Sequence, residues 1–227
     1  MGESLTENMK YKLVLFDLDG TLLDTLDDLT AAVNHVMARE RHPLHDRDAC
    51  RRMIGHGVRN LVMQALPEGL RGEAYVDACL AEFKSYYSLH IHDFTKPYPG
   101  IPELLGKLKR AGVRMAVVSN KFQSGTDRLI SRFFPDIPFA CVLGNREGFP
   151  LKPDPAVVVE VLRIAGAGRE DAVMVGDSLT DMRTAAAGGI RGLAVTWGYR
   201  TPAELEGAEL VNSVGELYLR IVSKNSA

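Results

Sequence analysis

The chain has 227 residues, 46% hydrophobic and 25% charged, with 27 basic against 29 acidic side chains for a net charge of −2. That length holds one large domain or a core plus a smaller insertion, and the near-neutral balance argues against nucleic acid or an anionic membrane as a partner. The cysteines, Cys50, Cys79 and Cys141, are too few and too scattered for a disulfide framework or a zinc site, so reduced thiols and a cytoplasmic location are expected.

Residues 1–10 are polar, lack the apolar centre of a signal peptide, and read as a loose lead-in. No apolar run approaches membrane-spanning length. The run from Tyr11 to Phe16 is a short unbroken apolar segment, the pattern of a strand buried on both faces of a parallel sheet. It stops on Asp17-Leu18-Asp19-Gly20-Thr21, where Gly20 permits a tight reversal and Thr21 offers a hydroxyl or an amide to an anion. Thr25-Leu26-Asp27-Asp28 has the spacing of a capping box, with Asp in place of Glu. A helix with Leu26, Leu29, Val33, Val36 and Met37 on one face should follow. From there to about Thr95 only helical periods recur, punctuated by Pro43, Gly55, Gly57, Pro67, Gly69 and Gly72. This predicts an inserted α-helical cap over residues 25–95, between the two parts of an α/β core formed by residues 1–24 and 96–227.

After Tyr98-Pro99-Gly100 the pattern turns to strand–helix alternation. Strands are predicted at Val113–Val118, Phe139–Leu143, Ala172–Val175 and about Gly192–Val195. Helices are predicted between them, with a last one from about Val214. Such alternation means right-handed crossovers and a doubly wound parallel sheet of five or more strands, Rossmann-like in architecture, covered on both faces.

Buried runs end on polar clusters at Asp17/Asp19, Ser119/Asn120 and Asp177/Ser178. In a parallel sheet these ends share one edge, so the clusters converge if their strands are neighbours. With Lys152 before Pro153, the inventory of carboxylates, a hydroxyl, an amide and one cation suits a divalent metal and a phosphoryl group. Taken singly, each feature has a plainer reading. Asp177 and Asp181 can cap the following helix, Ser119 can be a turn residue, and Lys152 can be a solvated loop lysine.

Their joint order resembles the four motifs of haloacid dehalogenase-type phosphatases: Asp17-Leu-Asp19-Gly-Thr21, Ser119-Asn120, Lys152-Pro153 and Gly176-Asp177-Ser178-Leu-Thr-Asp181. The helical block between the first two motifs matches that superfamily's cap in position and size, and Asp19 argues against the dehalogenases themselves, which lack it. Within the superfamily the chain looks most like the phosphoglycolate phosphatase group, through Thr25, Ile54-Gly-His-Gly57, Tyr98-Pro-Gly100, Ser119-Asn-Lys121 and Trp197-Gly198-Tyr199.

The resemblance implies Mg²⁺-dependent hydrolysis of a small phosphate monoester through an aspartyl phosphate. Asp17 would be the nucleophile, Asp19 the general acid and then base, and Lys152 the charge-neutralising cation. Asp17, the Asp19 carbonyl and Asp177 would be metal ligands, and Asp181 would orient Lys152 or a metal-bound water. Ser119 with the amides at Asn120, Gly20 and Thr21 would hold phosphate oxygens, and His56 and Arg59 on the cap would receive a small carboxylate, the alternative being a simple helix start with Arg59 facing solvent. Inorganic pyrophosphatase and a β-phosphoglucomutase-like transferase are alternatives. The latter is disfavoured because Leu29 stands where such enzymes carry His. A phospho-accepting signalling domain is an alternative of another class, disfavoured by Asp19 and the cap. The expected species is a monomer or homodimer.

Overall fold

The computed structural model describes residues 9–223, so most of the expected lead-in lies outside the described residues. Its end is not loose: Met9 and Tyr11 are buried, and the Tyr11 amide donates to the Ile221 carbonyl. The elements in chain order are β1 (Leu13–Phe16), β2 (Leu23–Asp24), α1 (Leu26–Arg39), α2 (Arg47–Met53), α3 (Val58–Ala65), α4 (Glu73–His90), β3 (Lys96–Pro97), α5 (Ile101–Ala111), β4 (Arg114–Phe122), α6 (Gln123–Phe133), β5 (Phe139–Asn145), α7 (Ala156–Ala165), β6 (Ala172–Gly176), α8 (Leu179–Gly188), β7 (Arg191–Val195), β8 (Leu210–Val211) and α9 (Val214–Val222).

Six strands form one parallel sheet in the order β5-β4-β1-β6-β7-β8. Every residue of β1 is buried, as its unbroken apolar run requires of a strand covered on both faces. Alternate residues serve opposite sides. Val14 and Phe16 pack with Leu104, Leu108 and Leu129 of α5 and α6 and with Leu217 of α9. Leu13 and Leu15 pack with Val158 and Val161 of α7 and Ala185 of α8. Because β1 lies between β4 and β6, Asp17 and Asp177 at their strand ends and Ser119 within β4 are adjacent toward one edge.

Helices α1–α4 lie between β2 and β3, an antiparallel pair of two-residue strands in which Asp24 sits opposite Lys96. The sequence shows no signal for these strands; two residues are too few to carry a period. The capping-box expectation at Thr25 fails. Thr25 makes no side-chain cap bond, and its hydroxyl donates instead to Asp19 Oδ1 at 2.5 Å. Asp28, buried, accepts from the Phe94 and Thr95 amides and from Thr95 Oγ1, which ties the two crossings together. Tertiary partners outbid the local helix end here, as partly satisfied termini allow. Strand β4 also runs four residues past the predicted stop at Val118, to Phe122, because Phe122 pairs with Asn145 beyond a register shift.

Candidate active site

Asp17 follows β1, and its amide donates to Val175 of β6, fixing the backbone against the neighbouring strand. Its carboxylate is 2.8 Å from Lys152 Nζ. The same ammonium donates to Asp181 Oδ1 at 2.7 Å and to the Val118 carbonyl at 3.0 Å, so all three protons have acceptors. Lys152 is itself held by Asn120, which accepts from the Lys152 amide through Oδ1 and donates to the Lys152 carbonyl through Nδ2. Asn120 Nδ2 also reaches the Gly55 carbonyl in the helical block. The Asn120 side chain is therefore a clamp between β4, the Lys152 loop and the turn before α3.

Asp181 divides its two oxygens. Oδ1 takes Lys152, while Oδ2 accepts from the amide and hydroxyl of Ser178 in a capping box that starts α8. The plain capping role and the lysine contact are thus made by one side chain. Gly176 makes this possible, since a Cβ there would stand 2.3 Å from Asp181 Cγ. Asp177 accepts from the Tyr199 amide at 2.7 Å. Gly20, at φ +84°, brings the acidic turn so close that a Cβ would lie 2.2 Å from Asp177 Oδ2.

Asp17, Asp177 and Asp181 offer carboxylate oxygens that lie within 4.8 Å of one another, all buried. One ammonium leaves an excess of two negative charges if all three are ionised. Repulsion between like charges at that spacing is on the order of 3 kcal/mol per pair. Burial, then the neighbouring carboxylates, push Asp17 well above the usual carboxylate range against the pull of Lys152. Burial and Asp181 raise Asp177 to about 7. Burial alone would lower Lys152, but Asp17 and Asp181 outweigh it and hold the amine above the ordinary lysine value. A buried, oxygen-only, over-charged cluster is a donor set that fits a hard divalent cation.

Asp19 sits apart from this cluster. Its Oδ1 takes Thr25 Oγ1 and Lys121 Nζ, the latter at 2.9 Å, with the lysine buried and Asp19 partly so. The extended backbone of β4 sends neighbouring side chains to opposite sides, so Asn120 reaches Lys152 while Lys121 reaches Asp19. Ser119 is buried and accepts from the Lys121 amide. Asp17, Asp19, Ser119, Asn120, Lys121, Lys152, Asp177 and Asp181 all line one cavity, roofed by Leu29, Val58, Leu61, Phe83 and Tyr87 of the helical block.

Other predicted residues stand away from this constellation. Arg59 lies outside the cavity lining, 48% exposed and paired with Asp77; His56 is exposed and also outside it. Helical periodicity defines a face but not which face meets the core. The Gly20 and Thr21 amides donate to the Leu23 and Leu18 carbonyls, so the local turn already uses them. The Leu18 and Asp19 amides have no acceptor among the described residues. Thr21 is fully buried outside the cavity lining, and Trp197 donates to its carbonyl. The sequence reading missed Lys121, Tyr87 and Arg200 as cavity residues. Lys121 directly follows Ser119-Asn120 and could have been found; Tyr87 and Arg200 reach the cavity only through packing.

Known proteins resemble this chain. A family model described as haloacid dehalogenase-like hydrolase matches residues 14–195. The phosphoglycolate phosphatase 1 of Pseudomonas aeruginosa is 40% identical over 192 residues, 83% of this chain and 70% of its own. The phosphoglycolate phosphatase of Mesorhizobium japonicum is 34% identical over 220 residues, 95% of this chain and 97% of its own. A crystal structure from Lactobacillus delbrueckii subsp. bulgaricus, described as that of a candidate phosphoglycolate phosphatase, matches with a TM-score of 0.89 at 32% identity, covering 95% of this chain and 100% of that one.

Proposed function

Since this chain belongs to the haloacid dehalogenase-like hydrolase family and is a phosphatase, we propose that it hydrolyses phosphoglycolate, with Mg²⁺, through a phosphorylated Asp17. The observation that carries this reading is the placement of the Asp17 carboxylate. It is buried, hydrogen-bonded to Lys152, clustered with Asp177 and Asp181, and shares its cavity with a fourth carboxylate, Asp19, that has separate partners.

Asp17 attacks phosphorus and the leaving oxygen takes a proton from Asp19. Asp19 then draws a proton from the water that releases phosphate from Asp17. Lys152 offsets the repulsion between the attacking carboxylate and the substrate dianion. Asp17 and Asp177 would hold the metal, with the Asp19 carbonyl, and the ion supplies further charge neutralisation on the phosphoryl oxygens. Ser119 and the amides of Leu18, Asp19 and Asn120 would receive those oxygens. Residues 25–95 act as the cap, moving about the β2–β3 crossing that Asp28 clips together. Leu29 on the cavity wall supports hydrolysis over mutase chemistry, since a leucine transfers no proton. Among the described residues no helix is long and apolar enough to cross a membrane. The free cysteines accord with the reducing cytoplasm.

Phosphate release with Mg²⁺ from phosphoglycolate, pyrophosphate and glucose 1-phosphate tests the substrate. The kcat/KM for phosphoglycolate should exceed the others by at least ~10³-fold, the scale on which a polar site rejects ligands that leave it unpaired. A preference for pyrophosphate would replace this reading.

The metal is tested by thermal unfolding. Asp17 and Asp177 have folded pKa values raised above the unfolded ones, from the ordinary 3.8 to about 7 for Asp177. The folded state therefore holds protons that the unfolded chain has released, and metal-free stability falls as pH rises through that window. A cation binds the ionised form. Mg²⁺ at ~100 times its Kd should raise Tm by ~5–10 °C at pH 8 and by less than half of that at pH 5.5. An equal rise at both pH values would place the ion elsewhere.

A further inference from the structure

We propose that Lys121 and Tyr87 form the subsite for a second anionic group of the substrate, a carboxylate one carbon away from the leaving oxygen. The proposal rests on the phosphatase reading above and deepens it by assigning the substrate's other end. Three cations among the described residues line the cavity: Lys152 has no donor left, and Arg200 is tied to the backbone of the helical block. Lys152 has given all three protons to Asp17, Val118 and Asp181. Arg200 donates through Nη1 and Nη2 to the carbonyls of Arg51 and Ile54, bracing the turn that leads into α3. Lys121 has a single carboxylate oxygen as its charged partner, Asp19 Oδ1 at 2.9 Å. An ammonium has three donors.

Beside Lys121 stands Tyr87 from α4, with its ring centroid 4.9 Å from the amine. Tyr87 is fully buried; its hydroxyl lies near enough to the Lys121 amine to interact with it but makes no hydrogen bond of ordinary geometry among the described residues. Such a group is costly unless something completes it. Burial, only partly offset by the Lys121 charge, raises the phenol to about 12, so it stays a neutral donor. Around the pair the walls are apolar, with Leu29, Leu61 and Phe83 on the cavity and Phe83 stacked on Tyr87 at 5.4 Å. A single ammonium and a single hydroxyl in such surroundings suit an anion that accepts from both, and charge-assisted bonds are strong there.

The position selects the anion's place in the substrate. Asp19 must reach the leaving oxygen, and Lys121 is bonded to Asp19. A cation there meets a carboxylate separated from the leaving oxygen by one methylene, as in a 2-phosphooxy acid. Longer bodies would carry a distal charge past it. Arg59, paired with Asp77 outside the cavity lining, leaves this task to the core.

Phosphoglycolate and ethyl phosphate are a matched pair differing only in carboxylate against methyl. Steady-state kcat/KM on both is measured for the unmodified protein, Tyr87→Phe and Lys121→Met. Tyr87→Phe keeps the ring and the packing, and should lower phosphoglycolate turnover about tenfold more than ethyl phosphate turnover. Lys121→Met should give a differential of ~100-fold or more, with the excess in KM, above any shared kcat loss from releasing Asp19. Equal losses on both substrates in both variants would mean that Lys121 only positions Asp19 and that Tyr87 only packs, which overturns the subsite. If the unmodified protein itself does not prefer phosphoglycolate, the substrate assignment fails, and the subsite fails with it.

Discussion

Asp17→Asn should lose phosphatase turnover by a factor of ~10⁴ or more while the metal-free protein keeps or raises its Tm. The first half follows from chemistry: a neutral amide oxygen is a poor nucleophile, and removing the attacking group of a concerted site costs about that much. The second half follows from the charges. Burial and the adjacent carboxylates hold the Asp17 pKa up, so its ionised form is unwelcome in the folded, metal-free protein. Asn is isosteric and removes one negative charge from a cluster of three. Lys152 retains Asp181 and the Val118 carbonyl as acceptors. Single-turnover assays with labelled substrate should find no acid-stable, alkali-labile phosphoprotein in the variant. Residual turnover within tenfold of the unmodified protein would move the nucleophile to another residue, and a Tm lowered by many degrees would show the carboxylate to be a net stabiliser.

The parts of this site that the sequence made legible are those fixed by strand chemistry. A buried run must end at the sheet edge, so Asp17 and Asp177 could be placed together once β1 and β6 were read as parallel strands. Lys152 lay in a loop with no periodic signal and was found through the order of the motifs. What stayed hidden depends on partners distant in sequence. Asn120 reads as one more polar residue at a strand end, yet its side chain is committed to Lys152 and Gly55. Thr25 and Asp28 have capping spacing, yet Asp19 and Thr95 are the better acceptor and donor. His56 and Arg59 sit on a helix start whose inward face only packing decides. Tyr87 reads as one of several aromatic positions on α4, and nothing local distinguishes a ring that packs from one that also carries an unpaired hydroxyl to the cavity.

Lys152→Met tests the same ion pair from the other side and should have the opposite effect on stability. The side chain is 4% exposed and is, among the described residues, the one cation bonded to Asp17 and Asp181. Methionine fills the volume but leaves both carboxylates buried without it, and breaking a buried pair in this way costs about 3–5 kcal/mol. At this chain length that corresponds to a fall in metal-free Tm of roughly 10 °C. Turnover should fall by ~10³-fold or more, because the attacking carboxylate and the substrate dianion then meet with no lysine between them. Arginine should not rescue it. The ammonium sends its protons to Asp17, Asp181 and a backbone carbonyl, and a planar fork cannot reproduce that arrangement. Mg²⁺ should recover part of the lost Tm, since a divalent cation relieves the same repulsion. An isolated salt bridge would lose similar stability whichever partner is removed. Here the carboxylates outnumber the cation, so removing the anion relieves the site and removing the cation exposes it. If Lys152→Met and Asp17→Asn shift Tm in the same direction and by similar amounts, the cluster is not over-charged and this electrostatic account of the site is wrong.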